Sequence, residues 1–265
     1  MTFKEKLNAA IEKNNSLLCV GLDSELDKLP VEFKSLKNPQ FEFNKWIISE
    51  TFNLVSAYKI NSAFYEARGA EGIKELKQTC EYIQLNHAEI PVILDAKRAD
   101  IGNTNNGYVL FAFDYLRVDA ITLHPYLGSE AIKPFLERSD KGIIILCRTS
   151  NPGAGEFQDL EIENIPFYMH VAKKVSSEWN TNNNCMLVVG ATYPDEMKKI
   201  REVAPDMTFL VPGIGVQGGD LENTLRNGLD KNKKGLIIHS ARGIIFADDP
   251  GEEAQKLRDE INRYR

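Results

Sequence analysis

Basic residues are in the minority in this chain: 32 Lys and Arg face 38 Asp and Glu, a net charge of -6 over 265 residues. No run of Lys or Arg interrupts that acidic average, so the electrostatic footprint that a nucleic-acid partner needs is missing. Long apolar runs are also lacking. None approaches the ~18 residues needed to span a bilayer, and Met1-Thr-Phe-Lys-Glu-Lys-Leu7 holds no signal-like apolar core, so a cytoplasmic protein without a membrane partner is expected. The chain has four cysteines: Cys19, Cys147 and Cys185 in strand-like runs and Cys80 in a helix-like one, with no CxxC spacing. They read as small buried hydrophobes rather than disulfide or zinc partners. His87, His170 and His239 show no metal-ligand spacing either. Pro/Ser-rich linkers, low-complexity tracts and short repeats are absent, which makes residues 1–265 a single domain in this reading.

What is present is an ordinary globular composition, 43% hydrophobic and 26% charged, arranged as alternating strands and helices. An amphipathic helix over Thr2 to Asn14, with Phe3, Leu7, Ala10 and Ile11 on one face, opens the chain and is expected to close the bottom of the fold. Short apolar runs then recur at 17–20, 57–61, 91–97, 120–125, 142–148, 185–192, 208–211 and 235–239. Helical periodicity lies between and beyond them at 41–58, 71–85, 108–113, 129–136, 167–179, 194–203 and 250–264. Pro134 fits awkwardly inside its helix. Roughly eight buried strands alternating with roughly eight helices predict a closed (β/α)8 TIM barrel with an extra N-terminal helix, and ~250 residues is the usual size of that fold. A doubly wound open sheet is the runner-up.

The chemistry concentrates in Pro91-Val-Ile-Leu-Asp-Ala-Lys-Arg-Ala-Asp-Ile-Gly-Asn-Thr104, where a buried strand runs into closely spaced opposite charges. If the strand continues past Leu94, Asp95 and Lys97 point to one side and Ala96 to the other. A surface turn facing water is the bland explanation. Strand C-terminal ends are where α/β proteins bind ligands, which favours a site. The loops after the seventh and eighth strands, Pro212-Gly-Ile-Gly-Val-Gln-Gly-Gly-Asp220 and Ser240-Ala-Arg-Gly243, would build a phosphate site, with Arg242 supplying a permanent charge and Gln217 an amide donor. Residues 149–165 are long for a βα connection and form a candidate recognition loop. Asp23 and Asn61 read equally as hydroxyl binders or turn caps. His124 is either a base or a packed structural histidine and has no assigned role.

Asp95-Ala-Lys-Arg-Ala-Asp-Ile-Gly-Asn-Thr104 resembles the D-x-K-x-x-D-I-x-x-T signature of the orotidine 5′-phosphate decarboxylase family. Leu22-Asp23, Lys59, Ser150, Pro212-Gly-Ile-Gly-Val-Gln-Gly-Gly219 and Arg242 fall in the family's order along essentially the whole chain. The Ala-Lys-Arg-Ala-Asp and Ile-Gly-Asn-Thr variants, with Gly-Ala-Thr at 190–192, are similar to its longer bacterial branch. The resemblance implies decarboxylation of orotidine 5′-monophosphate to uridine 5′-monophosphate in pyrimidine biosynthesis, without cofactor or metal, by a homodimer with shared sites. It implies a charged array of Lys59, Asp95, Lys97 and Asp100, with Lys97 the proton donor and Asp100 and Thr104 supplied by the partner subunit. Ser150 would read the pyrimidine, Asp23 and Thr104 the ribose hydroxyls, and Gln217 and Arg242 the phosphate.

Three other readings stand beside it. A magnesium-dependent 3-keto-gulonate 6-phosphate decarboxylase would carry a similar D-x-K-x-x-D. A Schiff-base aldolase would use a strand-end lysine, yet carboxylates flanking Lys97 favour its charged form over the free amine. A phosphate-ligand binder without catalysis has no need of alternating charges.

Overall fold

The computed structural model describes residues 1–214 and 219–265. Eight strands form the core: β1 Leu18–Gly21, β2 Ala57–Asn61, β3 Val92–Arg98, β4 Ala120–Leu123, β5 Gly142–Arg148, β6 Cys185–Val189, β7 Phe209–Val211 and β8 Leu236–Ser240. They pair in parallel in sequence order, and β1 closes the barrel by pairing β2 at Val20↔Tyr58 and β8 at Val20↔Ser240. The expected closed barrel is therefore found, and the open sheet is not. β1, β4, β6 and β7 are buried along their whole length, as strands covered on one side by the barrel interior and on the other by helices must be.

The first helix spans Phe3–Asn14, with a reciprocal capping box between Thr2 and Glu5 and a left-handed cap at Asn15. Its buried face is Phe3, Leu7, Ala10 and Ile11. Phe3 N–H donates to Asp140 O at 2.8 Å and Lys6 pairs with Asp119 at 2.9 Å, each just before a strand begins. The helix thus covers the N-terminal end of the barrel, as its apolar stripe suggests.

Several boundaries differ from the sequence expectation. The second long helix occupies Pro39–Thr51 and stops well before Tyr58, although Leu54 and Val55 continue an apolar pattern. Those two residues are instead buried in the turn that delivers the chain to β2. The helix expected from Tyr108 begins at Thr104 and passes into a π-helical segment, Leu110–Tyr115. An unexpected helix, Leu221–Gly228, follows β7, its N-terminus capped by Asp220 accepting from Asn223 N–H at 3.0 Å. Pro134 does sit inside a helix, Gly128–Leu136, which ends two residues later. Among the described residues no helix is long and apolar enough to cross a membrane.

Candidate active site

The eight strands, or the loops that follow them, send residues to one cavity of about 520 Å³ at the C-terminal end of the barrel. Asp23 follows β1, Lys59 and Asn61 lie on β2, Asp95 and Lys97 on β3 and Thr122 on β4. Ser150 follows β5, Val188 is on β6, and Pro212, His239 and Arg242 come from the last two strands and their loops. A second cavity of about 590 Å³ lies at the opposite end, beside Phe3, Gly142 and Met207, and among the described residues it holds none of the predicted site residues.

At the centre is a chain of alternating charges. Lys59 Nζ lies 3.5 Å from Asp23 Oδ1 and 3.0 Å from Asp95 Oδ2, and Lys97 Nζ lies 2.7 Å from Asp95 Oδ1. The Lys59 side chain is 4% exposed and that of Asp95 11%, whereas that of Lys97 is 48% exposed and open to the cavity. Burial alone would favour neutral Lys59, but Asp23 and then Asp95 outweigh it and raise its proton affinity well above the usual lysine range. Asp95 is opposed by burial in the same way, and Lys59 and Lys97 nonetheless hold it far below the ordinary carboxylate range. Both groups stay ionised because each is the other's counter-charge.

A depressed carboxylate contributes stability that is complete above its unfolded value of about 3.9 and disappears as pH falls through the lower folded value. The melting temperature should therefore fall on the acid side of about pH 4. Asp95→Asn should flatten part of that decline in a pH series of thermal melts; an unchanged acid limb would show that other carboxylates control it.

Asp95 and Lys97 do not meet through a plain pleat. The β3–β4 register shifts between Leu94 and Arg98, and Lys97 adopts the left-handed region at φ 47°. The shift breaks the alternation expected beyond Leu94, and this rare backbone conformation brings the ammonium back onto Asp95. Thr122, which no sequence motif singled out, fixes the bulge. Its hydroxyl donates to Asp95 Oδ1 at 2.8 Å and accepts from Lys97 N–H at 3.0 Å. A lone polar residue near the end of the apolar run Ala120–Leu123 was the available signal.

Asp23 also accepts from the Asn61 N–H at 3.3 Å, so its carboxylate lies between the ends of β1 and β2. His239, given no role in the sequence beyond ending the last apolar run, is buried in the cavity floor, with Gly21 directly against its Nε2. A Cβ at Gly21 would clash there, which is why β1 ends on glycine. Burial first, then the Lys59 charge, keeps the imidazole neutral well below its usual range. His124 lies outside the cavity, its Nε2 2.9 Å from Ala99 O, which favours the packed structural role.

Arg242 and Ser240 line the cavity mouth beside Pro212 and Gly213. Gly213, at φ 103°, accepts from Gly219 N–H at 3.0 Å, pinching the base of the glycine-rich loop. Gln217 lies outside the described residues. Asp100 and Thr104 do not line the cavity of their own chain. Asp100 is held by its backbone, its N–H donating to the buried Asn105 Oδ1 at 2.8 Å, and Thr104 is exposed at the start of its helix. Ile101 and Leu110, both exposed, lie on the segment after β3 that carries these two residues, and the exposed Tyr126 and Leu127 lie on the segment after β4.

Residues 16–257 match the orotidine 5′-phosphate decarboxylase / HUMPS family. The chain belongs to this family. It is 47% identical over 260 residues to the orotidine 5′-phosphate decarboxylase of Cellvibrio japonicus, covering 97% of this chain and 94% of that one. To the enzyme of the same name from Dechloromonas aromatica it is 45% identical, with both chains covered completely. Among solved structures, the Leishmania donovani OMP decarboxylase superposes with a TM-score of 0.90 at 38% identity, over 100% of this chain and 98% of that one. The Methanocaldococcus jannaschii orotidine 5′-monophosphate decarboxylase complexed with the inhibitor BMP gives a TM-score of 0.67 at 25% identity, covering 93% and 98%. The family resemblance seen in the D-x-K-x-x-D segment thus extends through the whole decarboxylase barrel.

Proposed function

We propose that this chain decarboxylates orotidine 5′-monophosphate to uridine 5′-monophosphate, with Lys97 as the acid that replaces CO2 by a proton. The observation that carries the reading is the buried Asp23–Lys59–Asp95–Lys97 array, with its one half-exposed ammonium facing the cavity. The bond from C6 to the carboxylate breaks, its electron pair remains on C6, and CO2 leaves. That pair occupies an sp2 orbital which the pyrimidine ring cannot delocalise, so stabilisation must be electrostatic. Lys97 supplies the positive charge and then transfers an Nζ proton to C6. Asp95 faces the departing carboxylate, a repulsion relieved as CO2 forms. Unit charges about 4 Å apart interact by about 4 kcal/mol at an effective dielectric of 20, so a few such contacts make a sizeable contribution to catalysis.

The remaining roles follow the cavity outward. Ser150 reads the pyrimidine edge, Asp23 the ribose hydroxyls, and Gln217 and Arg242 the phosphate. Asp100 and Thr104 complete the site of a second copy, so the working unit is a homodimer. The exposed Ile101, Leu110, Tyr126 and Leu127 beside them support that contact face. Catalysis uses residues of one domain, 1–265, in the cytoplasm. Both Asp95 oxygens already bond to lysines, with Thr122 sharing one, which supports turnover without a divalent cation. The decisive assay follows the absorbance change from orotidylate to uridylate in the presence of EDTA. Turnover that needs added magnesium would favour the sugar-phosphate decarboxylase reading instead.

Arg242 tests the remote end of the site. Its contact with phosphate would be far from C6, and such binding contributes to the rate by orienting the base and closing the loops. Arg242→Ala should lower kcat/KM for orotidylate by roughly a hundredfold, the scale of a charged hydrogen bond. It should barely change kcat/KM for the dephosphorylated nucleoside. Equal losses on both substrates would make Arg242 a structural residue.

A further inference from the structure

Arg148 is among the largest fully buried side chains in the protein, yet it touches neither the charged array nor the cavity. It ends β5, immediately before the 149–165 connection. Its guanidinium carbon lies 3.6 Å from the Tyr193 ring centroid and 5.9 Å from that of Tyr168, an aromatic setting that guanidinium suits better than ammonium. From there it reaches forward into the connection. Nη2 donates to Asp159 Oδ2 at 3.1 Å and Nη1 to Gln158 Oε1 at 3.4 Å.

Gln158 in turn binds the start of the same loop. Its Oε1 accepts from Thr149 N–H at 2.9 Å and its Nε2 donates to Thr149 Oγ1 at 2.8 Å. The segment from Thr149 to Asp159 is thereby drawn into a closed hook whose two ends meet over Arg148. Ser150 stands at the inner side of that hook. On its other flank is Gly190, where a Cβ would lie 2.8 Å from Ser150 N, Cα and Cβ. The Gly190 N–H also donates to Arg148 O at 2.7 Å, and the Thr192 hydroxyl donates to Ser150 O at 3.4 Å.

We infer that Arg148, acting through Asp159 and Gln158, is a positioning residue that holds Ser150 at the pyrimidine end of the cavity. The inference rests on the reading of Ser150 as a substrate contact. The buried cation is a fixed post on the barrel, and the loop is tied to it by one carboxylate and one amide. Asp159 is 50% exposed, so the tie can be cut from the solvent side without opening the core.

The test is a double-mutant cycle on kcat/KM for orotidylate, with thermal melts as a parallel readout. Ser150→Ala should lose about tenfold, the value of one hydrogen bond, and Arg148→Met a similar amount. If Arg148 works through Ser150, the double variant should be no worse than the poorer single one, well short of the hundredfold loss that independent sites would give. Should Arg148→Met fail to fold, Asp159→Ala at the exposed end replaces it in the same cycle. A multiplicative double variant, or a single Arg148 or Asp159 variant with wild-type kcat/KM, would overturn the inference while leaving Ser150 in its role. Full activity of Ser150→Ala would instead remove Ser150 from substrate recognition and the inference with it.

Discussion

Lys97→Ala should fold and fail to turn over. The fold is expected to survive because the Lys97 side chain is half exposed and Asp95 keeps Lys59 and Thr122 as partners. No buried charge is left without a counter-charge, the situation that makes single deletions in ion-pair networks severe. Backbone strain at φ 47° is common to lysine and alanine, so it does not separate the two proteins. Activity has no such reserve. The substitution removes both the proton source and the positive charge nearest the nascent C6 carbanion, effects that individually amount to about 10²–10⁴-fold and 10²–10³-fold. A loss of roughly 10⁴-fold or more in kcat is expected, with circular dichroism and melting temperature close to wild type. Turnover within tenfold of wild type would exclude Lys97 as the acid.

The barrel was legible because its strands are short apolar runs buried on both faces, a pattern that needs no knowledge of partners. Its bottom-covering helix was legible for a similar reason: Thr2, Glu5, Phe3, Leu7 and Ile11 carry cap and stripe together. The charged array was visible as residues, but how it assembles was not. The meeting of Asp95 with Lys97 depends on a register shift between β3 and β4 and on Thr122, which enters from a strand 27 residues away from Asp95. Pairwise register leaves no mark in a single strand's periodicity. Gly190 against Ser150 and Gly21 against His239 are likewise contacts between distant segments, where the sequence shows only a glycine at a strand end. The helix at Leu221–Gly228 buries Leu221, Thr224, Leu225 and Gly228 at helical spacing, but it is only eight residues long, half of that face is Thr and Gly, and it adjoins a glycine-rich loop, so the stripe does not stand out. Asp100 and Thr104 are the opposite case: their motif spacing singled them out, yet the cavity of their own chain does not include them.

That separation sets the second large effect. Asp100 leaves β3 after Arg98, and its backbone is tied to Asn105, whose amide also reaches Ala131 O. The segment is therefore anchored on the outside of its own barrel, toward the exposed apolar residues after β3 and β4, rather than folded over its own cavity. If it serves a second copy, Lys97→Ala and Asp100→Ala proteins should each be nearly inactive, and mixing them should restore turnover. A mixed dimer has one site carrying both lesions and one carrying neither. With equal amounts and unbiased exchange, about half of the dimers are mixed and half of their sites are intact, so roughly a quarter of wild-type activity should return. Recovery must follow subunit exchange, so its time course should match exchange measured independently with differently tagged subunits. If mixed dimers form and activity does not return, Asp100 acts within its own chain and each barrel carries a complete site.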